Sequence, residues 1–166
     1  MGEKYAERLA AGEVFARRMR EVRERRGWSQ QRLSDRLREL GHPLHRVTLA
    51  KIEQGGTRAR KVPLEDVLAI AAALDVAPLH LFVPFEPSVR LVVGDVAVAP
   101  QHARLWVRGR SPLGIERQDM RIFFSELPPE EIQAALAERD RMEALGQFVG
   151  MSAPALYVGE RAKEES

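Results

Sequence analysis

Residues 22–55, VRERRGWSQQRLSDRLRELGHPLHRVTLAKIEQG, constrain this 166-residue chain more than any other stretch. They hold two runs with helical apolar spacing, Leu33-Leu37-Leu40 and Leu49-Ile52, separated by Gly41, His42 and Pro43. Apolar residues three and four apart share one face of a helix, so each run predicts a short amphipathic helix with one buried stripe. The turn keeps the helices apart, because glycine favours a left-handed stop and proline restricts the residue before it. Upstream, Phe15, Met19 and Val22 recur at the same spacing and predict a first helix over about residues 13–26. Gly27 is its stop, and Ser29 is an N-cap candidate for the second helix, with Arg32 where a capping box would have Glu.

The third helix is expected over about residues 45–54, closed by Gly55-Gly56 and followed by the basic loop 57–61, TRARK. Pro63 opens a fourth helix whose Leu64, Val67, Leu68, Ala71 and Leu74 predict a wide apolar face, and Ala77-Pro78 starts a short fifth through Leu81. Five helices in this length suffice for a compact all-α core. Pro84 and Pro87 mark a boundary. Beyond it, residues 89–93 and 95–99 read as short strands or extended chain. Residues 100–108 read as a short helix with Ala103, Trp106 and Val107 on one side, and 118–125 as another. Pro128-Pro129-Glu130-Glu131 has the prolines and early acids of a helix start, running to about Phe148. The expected organisation is one domain over 13–84 and a C-terminal dimerisation or partner-binding region over 85–166, frayed from Gly159.

Net charge is only +2, but it is unevenly placed. Residues 14–63 carry fourteen Lys and Arg against five Asp and Glu, whereas residues 64–166 carry ten against sixteen. A basic front segment joined to an acidic back one suggests a module facing a polyanion. Cysteine is absent, which excludes a disulfide framework, a thiolate zinc site and a cysteine nucleophile. No apolar run approaches the ~20 residues of a membrane span, and the polar N-terminus lacks a signal-peptide core. A cytoplasmic, nucleoid-associated protein is expected.

Residues 19–82 resemble the XRE family, the helix-turn-helix regulators related to phage Cro and repressor proteins. The text that carries the likeness is Met19-Arg-Glu-Val-Arg23, Gly27-Trp-Ser-Gln30, Leu33, Thr48-Leu49, Lys51-Ile-Glu53, Gly55, Ile70-Ala71, Ala73-Leu74 and Val76. The resemblance implies a five-helix, lambda-repressor-like domain; with the pattern read beyond it, a mainly α protein is expected, its small, mostly helical C-terminal region having possible short strands. The resemblance further implies that the third helix enters the major groove of double-stranded DNA, usually as a homodimer on a two-fold site. It puts Arg23 and Glu53 together as a structural ion pair between the first and third helices, and Gln30 against a phosphate. The chain departs from the pattern by about five extra residues between the second and third helices, and by a longer basic loop over 56–62.

Helix geometry extends this reading. With Leu49 and Ile52 inward, Arg46, Val47, Ala50 and Lys51 face out. Arg46 and Lys51 can donate to guanine O6 and N7, and Val47 suits a thymine methyl. His45, Thr48, Thr57, Arg58, Arg60 and Lys61 join Gln30 as phosphate candidates, with sequence-blind, salt-sensitive effects.

Other chemistries find little support. His42, His45, His80 and His102 have no metal-ligand spacing, so neither a metal nor a cofactor is expected. Ser125 and Lys163 have a separation superficially suited to a self-cleaving Ser/Lys pair, but Ser125 lacks a glycine-rich turn; no catalytic residue and no enzyme activity are expected. Trp28, Trp106, Phe123 and Phe124 read as core or dimer packing. The reading is a sequence-specific DNA-binding transcriptional regulator, a homodimeric repressor. The rival is an antitoxin-like regulator whose C-terminal half binds another protein; a third reading is a small-molecule sensor with a pocket under Trp106.

Overall fold

A computed structural model of the chain describes residues 7–55, 61–113, 120–134 and 137. Strand β1 (Glu7–Ala10) leads into α1 (Ala11–Arg25), followed by α2 (Gln30–Glu39), α3 (Arg46–Glu53), α4 (Leu64–Ala73) and α5 (Leu79–Phe82). Then come β2 (Val89–Val93), β3 (Val96–Val98), α6 (Pro100–Val107) and α7 (Met120–Ser125), and residues 129–134 are again helical. The fold is mainly α, as expected, with a five-helix unit ahead of a small sheet and further helices.

The helix ends follow the local chemistry. Ser29 caps α2, its hydroxyl accepting from the Arg32 N–H at 3.1 Å. Helices α1 and α2 both close in the same six-residue motif. Past α1, Trp28 N–H donates to Arg23 O and Gly27 N–H to Glu24 O; past α2, His42 N–H donates to Leu37 O and Gly41 N–H to Arg38 O. This closure places its penultimate residue in left-handed backbone, at φ +66° for Gly27 and +77° for Gly41, where only glycine sits without strain. Helix α4 ends the same way on a non-glycine residue, Asp75 at φ +46°.

The main core is Phe15, Met19 and Val22 of α1, Leu33 and Leu37 of α2, Leu49 and Ile52 of α3, and Ile70, Ala71, Ala73 and Leu74 of the α4 segment, closed by Leu81. Two expectations about this core need correction. Leu40, predicted in the α2 stripe, is 45% exposed, because α2 stops at Glu39 and the chain has already turned away. On α4, Leu64 and Leu68 face out and Asp66 is buried instead. Asp66 is held there by His42, whose Nε2 lies 2.8 Å from Asp66 Oδ1, so a polar contact sets the helix's rotation. Trp28 is half-buried, packed against the core with the Arg32 guanidinium 5.1 Å from its ring.

The sheet has order β1-β2-β3. Strand β1 pairs in parallel with β2, Leu9 opposite Leu91, and β2 pairs antiparallel with β3. No alternating apolar pattern announces β1, whose residues are mostly exposed. A second core of Val14, Val83, Leu91, Val98 and Ala103 forms beneath this sheet, and Val14 belongs to α1. Phe82 packs against both cores. The chain on either side of residue 84 is therefore joined through α1 and α5 by shared apolar packing.

The same junction carries a polar clamp. Arg104 donates to the Pro84 carbonyl at 2.8 Å, and its guanidinium lies 4.4 Å from the centre of the Phe85 ring. The buried Arg18 guanidinium lies 4.5 Å from the same ring, donates to the His80 carbonyl and pairs with Glu21. His80 Nδ1 lies 3.4 Å from Arg104 Nη1, and since a guanidinium only donates, this nitrogen accepts. Burial first, then Arg104, Arg108 and Arg18, push the His80 pKa below its ordinary value. Burial and Arg90 do the same to His102.

This architecture can be tested at its second core and at its half-buried His80 imidazole. Leu91→Ala removes buried volume beneath the sheet and should cost about 2–5 kcal/mol. Because α1 belongs to both cores, urea unfolding should show one transition at a lower midpoint; two separate transitions would contradict the shared packing. For His80, the unfolded chain binds a proton near its ordinary value of about 6.5, while the folded chain resists it. The stability this imidazole contributes is complete above that value and is lost as pH falls below it. The melting temperature should drop between pH 7.5 and pH 5, and His80→Gln should shrink the drop, leaving the share due to His102.

Candidate nucleic-acid interface

Helix α3 is held by one buried ion pair. Arg23 on α1 meets Glu53 on α3 in a two-pronged contact, Nε to Oε1 at 2.6 Å and Nη2 to Oε2 at 2.9 Å. Only 9% of the Arg23 side chain and 5% of the Glu53 side chain remain exposed. Such a pair is stable only when its remaining hydrogen-bonding capacity is filled. Arg23 Nη1 donates to the Trp28 carbonyl at 2.6 Å, and Gln30 Nε2 donates to Glu53 Oε2 at 2.8 Å. The hydrogen bond to Glu53 raises the Arg23 pKa above its already high ordinary value. The contact thus ties α1, the α1–α2 turn, the first residue of α2 and the last of α3 at one point.

The long turn between α2 and α3 is fixed from both sides. The Ser34 hydroxyl donates to the Leu44 carbonyl at 2.5 Å, and His42 reaches Asp66 on α4. His45 occupies the N-cap of α3, its carbonyl accepting from Thr48 and Leu49. The extra residues are absorbed by a turn pinned to α2 and α4.

The pinned α3 turns Arg46, Val47 and Lys51 to solvent, with Ala50 and Thr48 half-buried and Leu49 and Ile52 beneath. Val47 is 55% exposed, an apolar side chain between two cations. Among the described residues neither Arg46 nor Lys51 has a carboxylate partner, whereas arginines on α1 and α2 do. Arg20 pairs with Glu24 at 2.9 Å, Arg36 with Glu39 and Arg38 with Asp35 at 2.8 Å each, and Arg17 with Glu7 at 2.6 Å. Arg46 and Lys51 are thus exposed cations without a carboxylate on α3, a condition shared among the described residues by Arg25 at the end of α1 and Arg32 on α2.

The remaining candidates are distributed unequally. Gln30 stands at the start of α2, where the first-turn N–H groups have no partner within the helix, but one of its amide hydrogens is engaged by Glu53. His45 is exposed beside Arg46, and Lys61 is exposed just ahead of α4. Thr57, Arg58 and Arg60 lie outside the described residues, as does most of the helix expected to run to Phe148. His42–Asp66 is a contact that sequence reading missed. His42 reads as an ordinary turn histidine and Asp66 as a charge at a helix start, and nothing local links residues 24 positions apart. Among the described residues no three His, Asp, Glu or Cys converge as a metal site, and no helix is long and apolar enough to cross a membrane.

Residues 14–81 match the family model described as a helix-turn-helix domain. This segment is a helix-turn-helix domain, the class of module found in DNA-binding regulators. Neither the curated proteins nor the solved structures contain a match to the chain.

Breaking the anchor should be costly. Glu53→Ala leaves Arg23 buried without its carboxylate and should destabilise the domain by about 3–5 kcal/mol. Denaturant titration against the wild type measures this. A loss below about 1 kcal/mol would mean that α3 is held by Leu49 and Ile52 alone.

Proposed function

We propose that the protein is a sequence-specific double-stranded-DNA-binding transcriptional regulator, a homodimeric repressor that reads the major groove with α3. The observation that carries this reading is the pair of unpartnered cations, Arg46 and Lys51, flanking the exposed Val47 on the outer face of a rigidly anchored short helix. An arginine already bound to a carboxylate must break that pair before it can contact DNA. Arg46 and Lys51 have no such pair to break.

In this reading Arg46 and Lys51 donate to guanine O6 and N7, and Val47 packs on a thymine methyl. Ala50, short and half-buried, lets the helix approach the base edges. Gln30, through its second amide hydrogen and the first-turn N–H groups of α2, holds the backbone together with His45, Thr48 and Lys61. Thr57, Arg58 and Arg60 complete the phosphate set from the basic loop. The role needs no catalytic group and no cofactor.

Selection from random duplex DNA by the purified protein tests this. A palindromic sequence should be enriched, Arg46→Ala should relax the preference at particular base pairs by about 5- to 150-fold, and Arg58→Ala should weaken binding evenly and lower the salt slope by about one. No enrichment at moderate salt would overturn the proposal.

A further inference from the structure

Helix α4 covers the main core with Ile70, Ala71 and Ala73 and turns Leu64, Leu68 and Ala72 outward. Leu64 is 67% exposed and Leu68 49%, although each belongs to a helix that contributes to the main core. Residues four apart are neighbours on a helix surface, so the three form one continuous apolar stripe. A single exposed leucine is ordinary, whereas a continuous apolar stripe along a helix face is a candidate contact surface. Ala72 at one end keeps the stripe low, which allows a second helix to come close.

Charge at the two ends of the stripe says which partner fits. At the N-terminal end stand Lys61, exposed just before the Pro63 cap, and Glu65, exposed in the first turn. At the C-terminal end stand Asp75, exposed, and Arg26, whose Nη2 donates to the Asp75 carbonyl at 3.3 Å. A second α4 laid antiparallel, with Leu68 facing Leu68, sets Leu64 opposite Ala72 of the other copy. Each end then brings Lys61 of one copy to Asp75 of the other, and Glu65 toward Arg26. A parallel pair would instead set Lys61 beside Lys61 and Asp75 beside Asp75. The antiparallel arrangement also opposes the helix dipoles.

We propose that the outer face of α4 is where a second copy of this chain docks, antiparallel, across a two-fold axis at Leu68. The inference deepens the proposed function, which requires two copies without saying where they meet. The stripe is smaller than the ~800 Å² per partner of a standard interface. The free dimer is accordingly weak, and two half-sites on one duplex strengthen it by raising the effective concentration of the second copy.

The absence of cysteine makes the geometry directly testable in the full-length chain. Leu68→Cys treated with a short bis-maleimide should yield covalent dimers. Leu64→Cys alone should not, since its two copies stand about 12 Å apart along the helix axes. Leu64→Cys combined with Ala72→Cys should cross-link again. By sedimentation, Lys61→Glu should weaken association about tenfold through repulsion with Asp75, and adding Asp75→Asn should recover most of it.

A dimeric wild type whose Leu68→Cys variant cross-links no better than Leu64→Cys would place the interface elsewhere and overturn the proposal. So would a monomeric Leu68→Cys variant whose introduced thiol is shielded from labelling, which would mean that another segment of the same chain covers the stripe. A wild type that stays monomeric both free and on a palindromic duplex would overturn it too. Cross-linking at position 68 without any enriched duplex would sustain the α4 interface and remove the DNA reading instead. Loss of duplex selection in Arg46→Ala with cross-linking intact would separate the two surfaces.

Discussion

The Arg23–Glu53 pair decides where the third helix points. Helix α3 has only eight residues, and its apolar anchorage is Leu49 and Ile52. Two adjacent buried side chains fix a helix against the core but leave it free to roll. The ion pair supplies the missing constraint at its C-terminal end, and the turn bonded to Ser34 and Asp66 supplies one at its N-terminal end. Desolvating two charges costs several kcal/mol, and the gain offsets it only because Trp28 and Gln30 fill the remaining bonds. A helix fixed at both ends and along one side presents Arg46, Val47 and Lys51 in a single orientation. That matters because hydrogen-bond readout of base edges depends on direction as much as on charge.

That anchor rests in turn on α1, which also carries the second core. Val14 lies beneath the sheet, Met19 in the main core, and Arg23 in the ion pair, so successive turns of one helix touch the sheet, the helical core and α3. Strand β1 enters immediately before α1 and pairs with β2 about 80 positions later, with Arg17 bonded back to Glu7 at 2.6 Å. The Arg18–Phe85–Arg104 clamp closes the same junction from the other side. The sheet region and α3 are therefore joined by contiguous packing through one helix held at both ends.

How much of this the sequence discloses depends on the range of the interaction. The buried stripe of α1, the Ser29 cap and the left-handed stops at Gly27 and Gly41 are legible because each is settled within one helical turn. The pairing of Arg23 with Glu53, 30 residues apart, enters through family resemblance; no local pattern specifies it. Strand β1 is invisible for the same reason: four mostly exposed residues become a strand only because β2 offers an edge. The rotation of α4 escapes a sequence reading because its hydrophobic count favours Leu64 and Leu68, while the buried polar contact of Asp66 with His42 turns a different face inward. The outer face of α3 follows from period alone. Whether its cations are free does not, since freedom from a carboxylate is a property of the whole surface.

That last distinction changes what the basic composition of the front segment means. An excess of nine positive charges over residues 14–63 would suggest a broad electrostatic footprint. Six of the arginines in α1 and α2, however, are bound to carboxylates of the same fold: Arg17, Arg18, Arg20, Arg23, Arg36 and Arg38. An arginine that keeps its carboxylate neutralises no phosphate, so it releases few counterions and adds little to the salt dependence of binding. The charge that can act on a polyanion narrows to cations without such partners, and on α3 these are Arg46 and Lys51. Pairing six of the arginines narrows the attractive surface, and two of the cations that remain lie on the helix that the ion pair orients. Orientation and charge compensation are divided among the carboxylates: Glu53 fixes the helix, and Glu24, Asp35 and Glu39 neutralise arginines on the helices beside it.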